Sequence, residues 1–186
     1  MRPMNEHPLE TDLARIDALA RTNWADNWNF RAYLQQHVDA RAVDREAQAQ
    51  NAAVAARIDC TTCGNCCREI HPYLRAKDVS RLAKGLGLTN DELRARHLQK
   101  ADHGDQRFCA QPCPMLAGDR CTVYASRPDD CRSYPHLHKH GFMARSVGVI
   151  ENYRVCPIVF NVYEGLKRAF AYDPATDYIG DTVIDE

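Results

Sequence analysis

A chain of 186 residues with 24 Lys plus Arg against 25 Asp plus Glu has a net charge of −1, which argues against a general nucleic-acid or anionic-membrane surface. That length fits one domain with a helical arm, and it buries an ordinary core without needing covalent staples. No apolar run reaches the length that spans a bilayer, and the first residues, carrying Glu6, Glu10, Asp12 and Asp17, lack the continuous apolar stretch of a secretory signal, so a cytoplasmic protein is expected.

Residues 9 to 58 are expected to be helical. Thr11 is a candidate cap, after which Leu13, Ile16, Leu19 and Ala20 fall at helical spacing. Trp24 and Trp28 stand one turn apart, followed by Phe30, Leu34 and Val38, and they read as packing residues. "DREAQAQNAAVAARI" is rich in helix formers, with a thin apolar stripe of Val43, Ala47, Val54 and Ile58. Residues 1–56 thus read as an N-terminal helical arm that docks on the rest of the chain or, by self-association, on a protein partner.

Beyond "CTTCGNCC" at 60–67, Asp78 is expected to cap a short helix carrying Val79, Leu82 and Ala83 that stops at Gly85. Thr89 with Glu92 forms a capping box for the next helix, which carries Leu93 and Leu98. Residues 104 to 141 are irregular and rich in Pro, Gly and Cys. "FMARSVGVI" is strand-like, and "PIVFNVYEGLKRAFAY" returns to a helical pattern through Val159, Val162, Tyr163, Leu166 and Phe170. The expected fold is mainly α with one or two short strands and an irregular, metal-organised, cysteine-rich core. A cysteine-cluster domain spans 57–172, and an acidic tail covers 173–186.

Nine cysteines are too many for packing alone, and their odd number forbids complete internal disulfide pairing. Metal binding is the leading explanation. Thiolates suit zinc and iron–sulfur clusters, and Cys60-x2-Cys63-x2-Cys66 is a spacing by which a tight loop offers three of them to one cluster. Gly64 and Asn65 tolerate the left-handed backbone of such a loop. Cys67 follows directly, and neighbouring side chains point about 100° apart on a helix, so Cys66 and Cys67 are expected to serve different metals, different irons, or different roles. Further thiols come from Cys109, Cys113, Cys121, Cys131 and Cys156. His71, His136, His138 and His140 are close enough in sequence to join, although "HLHKH" reads first as a solvated basic loop. In "SRPDDCRSYP", Pro128 suits the first position of a short helix with Asp129 and Asp130 in its first turn. Arg127 and Arg132 flank Cys131, where they suit either thiolate or substrate-carboxylate contact, or an ion pair with the aspartates.

"CTTCGNCC", "KDVSRLAKGLGL", "CPMLAGDRCTVYASRPDDCRSYP" and "NYRVCPIVF", in that order, resemble the YkgJ-type cysteine-cluster family of zinc- or iron-chelating domains with a CxxCxxCC signature. The resemblance covers roughly 57 to 167 and implies that Cys60, Cys63, Cys66, Cys67, Cys113, Cys121, Cys131 and Cys156 are metal ligands. Cys109 and "HLHKH" look like departures from it and are expected to be spare. A related cluster occurs in flagellin-lysine methylases, but no glycine-rich nucleotide loop is present here to carry that activity over.

The expected function is a cytoplasmic metal-binding protein that holds zinc or iron, with an iron–sulfur cluster placed ahead of zinc. Two alternatives stand beside it. One is a metal- or redox-responsive DNA-binding regulator using "DVSRLAKGLGLTNDELRARHL", with Arg94, Arg96 and Lys100 on its second helix, although Asp91 and Glu92 would repel the DNA backbone. The other is a cluster-dependent enzyme in which Arg127 or Arg132 grips an anionic substrate. Nucleic acid and membrane are not expected as partners.

Overall fold

The computed structural model describes residues 8–101 and 104–177. Its helices are α1 (Leu13–Thr22), α2 (Trp24–His37), α3 (Ala40–Ala55), α4 (Asn65–Glu69), α5 (Ala76–Leu86), α6 (Asn90–His97), α7 (Asp129–Ser133), α8 (Ser146–Tyr153) and α9 (Pro157–Ala169). The strands β1 (Leu98–Lys100) and β2 (Gln106–Phe108) form one antiparallel ribbon, and β3 (Leu116–Ala117) and β4 (Arg120–Cys121) form another. The fold is mainly α with short strands, as the periodicity predicts. Two compact units make up the chain: one takes the segment up to Ile58 together with that from Pro135 onward, and the other is Asp59–Tyr134. Most of the tail expected at 173–186 lies outside the described residues.

In the first unit α1 and α3 are capped by carboxylates. Asp12, not Thr11, caps α1, accepting from the backbone N–H groups of Ala14 at 2.9 Å and Arg15 at 3.2 Å. A carboxylate satisfies two otherwise orphaned donors and carries negative charge at the positive end of the helix. Asp39 does the same for α3 through Arg41 and Ala42. The buried stripe Val43, Ala47, Gln50 and Val54 lays α3 along α9. The two helices meet so closely at Gly165 that a Cβ there would stand 1.8 Å from Gln50 Oε1.

Residues 142–150 are not a strand. A 3-10 turn at Met143–Arg145 runs into α8, whose buried residues are Ser146, Val149, Ile150 and Tyr153. That is the 3.6-residue period of a helix, and Val147 is 41% exposed. Trp24 and Trp28 pack edge to face at 5.9 Å between ring centroids.

The second unit has its own core, in which Leu74, Val79, Leu82, Leu93, Leu98 and Phe108 are buried. Asp78 is not the cap of α5. It sits in the first turn, where its Oδ2 accepts from the backbone N–H of Arg75 at 3.1 Å. Gly87, at φ 67°, ends that helix, while Gly85 lies inside it against Ser126, with room for no side chain. The α6 capping box forms as expected, with Thr89 N–H donating to Glu92 Oε2 at 2.8 Å and Glu92 N–H to Thr89 Oγ1 at 3.2 Å. Cys113 and Cys121 pack against this core, half-buried.

Candidate metal centre

Asp59 starts the signature loop. Its Oδ1 accepts from the N–H of Thr61 at 2.9 Å and from the Thr61 hydroxyl at 2.6 Å, which pins a 3-10 turn at Cys60–Thr62. Gly64 then adopts φ 62° and reverses the chain into α4, which carries Cys66 and Cys67. A left-handed residue is required there, and glycine adopts it without steric cost.

Three further segments bring thiols to this loop. The Cys113 N–H donates to the Cys67 carbonyl at 2.7 Å, and Gln111 Nε2 reaches the same oxygen at 3.4 Å. The β3–β4 hairpin begins just beyond Cys113 and ends on Cys121, with the Thr122 N–H and hydroxyl both donating to the Met115 carbonyl. Cys131 rides on α7, which Pro128 precedes as cap rather than opening as its first residue. The helix is held to α5 by ion pairs. Buried Asp78 accepts from Arg81 Nη2 at 2.6 Å and from the Asp129 N–H at 2.9 Å. Arg81 and Lys77 meet the Asp129 carboxylate at 2.7 and 2.6 Å. Neither Asp78 nor Arg81 carries a sequence signal for this role, because the partner segment lies far along the chain.

Electrostatics shows which thiols are neighbours. Burial pushes the Cys131 thiol up to about 12, and Cys113, Cys67, Asp130 and Cys121 add to the rise. Burial likewise pushes Cys113 up to about 11, with Cys67 and Cys121 adding repulsion against the Met115 N–H. Cys121 is raised by burial and by Cys67, with the Val123 N–H and Arg127 opposing. Cys67 goes the other way, to about 7, because the Cys66 side chain hydrogen-bonds to it and Arg68 and Arg127 lie nearby. So Cys67, Cys113, Cys121 and Cys131 gather into one region and repel one another when ionised. Among the described residues, no three Cys, His, Asp or Glu side chains are drawn to a common metal-holding point. The quartet is close in space without being closed.

Cys60 is exposed, and Cys63 and Cys66 are half-buried beside the quartet in sequence. Cys109 is exposed, its Sγ donating to the Arg96 carbonyl at 3.8 Å. Cys156 is buried in the other unit, at the start of α9. None of the nine is joined in a disulfide. "HLHKH" also belongs to that other unit, where Arg145 donates to the carbonyls of His136, Lys139 and His140. His71 is exposed. The guanidinium of Arg127 stacks 3.5 Å from the Tyr124 ring centroid and donates to the Tyr124 carbonyl. Arg132 donates to the carbonyls of Arg127 and Ala125. Asp129 pairs instead with Lys77 and Arg81, and Asp130 accepts from the Tyr73 N–H at 3.2 Å. On α6, Arg94 and Arg96 are engaged by Asp91 and Glu92 of their own helix.

A small cysteine-rich unit with gathered thiols defines a binder of soft or borderline cations. The chain belongs to the CxxCxxCC family, described as "Putative zinc- or iron-chelating domain", which matches residues 59–152, just over half of the chain. Neither the curated proteins nor the solved structures yielded a match. Among the described residues no helix is long and apolar enough to cross a membrane.

Proposed function

We propose that the protein is a cytoplasmic metal-binding protein whose primary centre is formed by Cys67, Cys113, Cys121 and Cys131 and takes one zinc or iron ion. What supports this reading is the gathering of these four thiols from the signature loop and three further segments, where ionised thiolates would repel one another. A cation would remove that repulsion and stabilise all four thiolates. Four sulfur donors fit the tetrahedral preference of zinc and of mononuclear iron–thiolate sites, and a closed tetrathiolate would serve a structural or metal-holding role. Arg127, near both Cys67 and Cys121, would offset part of the negative charge.

A second reading adds an iron–sulfur cluster drawing on Cys60, Cys63 and Cys66. It is favoured by the left-handed turn at Gly64 inside the Cys-x2-Cys-x2-Cys spacing. Cys109 takes no part in either reading. Quantifying zinc, iron and acid-labile sulfide in anaerobically purified protein separates them. One zinc or iron per chain without sulfide fits the tetrathiolate centre. Iron with matching sulfide moves the weight to the cluster. Protein that carries no metal and takes up none on titration rejects both.

A further inference from the structure

Arg68 follows the last cysteine of the signature, and its side chain is committed to a distant hairpin. Nη1 donates to the Cys63 carbonyl at 3.2 Å, and Nη2 donates to the Gly118 carbonyl at 3.0 Å and pairs with the Asp119 carboxylate. Gly118 and Asp119 form the tip between β3 and β4, and β4 ends on Cys121. One guanidinium therefore bolts the backbone beside Cys67 to the hairpin that carries Cys121. The fit is tight on the loop side too, since a Cβ on Gly64 would stand 2.8 Å from the Asp119 carbonyl oxygen.

Only a planar fork with several fixed donors serves two carbonyls and a carboxylate together, and the compact ammonium of lysine does not reproduce it. The ion pair itself is too exposed to hold the fold. The Arg68 side chain is 33% and that of Asp119 62% accessible, and such pairs contribute little stability. What the contact does determine is spacing. We infer that Arg68 is a positioning residue for the metal centre, setting the distance between Cys67 and Cys121 and so deciding whether the site closes with four thiolates. This rests on the quartet being the centre.

The test is cobalt(II) titration of the reduced, metal-free full-length protein. Thiolate-to-cobalt charge-transfer and ligand-field bands report ligand number, and circular dichroism reports helix content. Wild type should give a four-thiolate tetrahedral spectrum. Arg68→Gln and Arg68→Lys should keep their helicity. Their charge-transfer intensity should fall by about a quarter as Cys121 drops out of a four-ligand site, with cobalt affinity reduced about 10- to 100-fold. A merely structural arginine would change stability and leave that spectrum alone. An Arg68→Gln spectrum and affinity equal to wild type overturns the inference. Should Arg68→Gln not fold, Arg68→Lys, which keeps the charge and loses the fork, becomes the deciding variant. A weaker affinity there supports the inference, and an affinity and spectrum equal to wild type overturn it. A wild-type spectrum without four thiolates removes the proposed centre, and this inference with it, before any variant is read.

Discussion

The backbone N–H of Cys113 donates to the carbonyl of Cys67 at 2.7 Å, so two proposed ligands from distant parts of the chain share a main-chain hydrogen bond. That bond does not depend on metal. The backbone holds these two positions together whether the thiols are protonated or ionised. Folding thereby supplies part of the organisation that many small metal domains obtain only from the ion.

Replacing one member of the quartet should therefore abolish tight metal retention without abolishing the helices. Cys131→Ser is expected to lose the bound ion and, with it, the rise in melting temperature that excess zinc produces in wild type. Cys109→Ser, at an exposed position outside the quartet, should retain both. Metal-to-protein ratios and melts with and without zinc check this. Metal loss in Cys109→Ser would show that the exposed thiol had been misassigned.

Metal binding should release a countable number of protons. At pH 8 Cys67, with its value near 7, is mostly ionised, whereas Cys113 near 11 and Cys131 near 12 are protonated, and Cys121 is also raised. Forming a tetrathiolate then displaces about three protons at pH 8 and about four below pH 6. Affinity should rise with pH, with the slope of log affinity steepening from about 3 to about 4 as the pH falls through 7. Calorimetry in buffers of different ionisation enthalpy counts the protons. A release of one or fewer at pH 8 would be incompatible with this quartet.

Gly64→Ala should destabilise more than Gly87→Ala. Both glycines have φ in the left-handed region, 62° and 67°, where an L side chain costs about 1–2 kcal/mol. Only Gly64 also has the Asp119 backbone within 2.8 Å of the new Cβ, while nothing lies within 4 Å at Gly87. Urea melts of the two variants isolate the extra cost of the close approach, which should appear as weakened metal binding in Gly64→Ala alone.

Asp44 gives a pH dependence in the other unit. Burial tends to raise its carboxyl, but the N–H groups of Gly141 and Phe142, donating at 2.8 and 2.7 Å, and nearby His140 hold it below the ordinary range. A native value lower than the unfolded one means the contribution is full above about pH 4 and disappears as pH falls through the native value. Asp44→Ala should cost on the order of 1–3 kcal/mol at pH 7, and the gap from wild type should close toward pH 2. A gap of constant size across that range would show that the charge is not responsible.

Much of the molecule was legible along the chain. The periods of Ile16 and Ala20, of Val43, Ala47 and Val54, and of Val159, Val162 and Leu166 foretell α1, α3 and α9, because a buried helical face repeats at every turn. The Thr89–Glu92 box foretells the start of α6, because both partners lie within one turn. Residues 142–150 misled because Phe142, Val147, Val149 and Ile150 are strand-favouring residue types, and only the packing of Ser146, Val149, Ile150 and Tyr153 on one face decides for helix.

The cysteine spacing by itself determined that this is a metal-binding chain, since thiols so close in sequence and a glycine able to turn left-handed are local properties. Which thiols stand together was decided only by the tertiary structure. Cys67, Cys113, Cys121 and Cys131 meet because a main-chain bond, the Arg68 fork and the Asp78–Arg81–Asp129 ion pairs draw three segments onto one loop. Apart from the Asp78–Arg81 pair within one helical turn, each of those contacts joins residues far apart in sequence, and such pairings arise from packing, which no local pattern encodes.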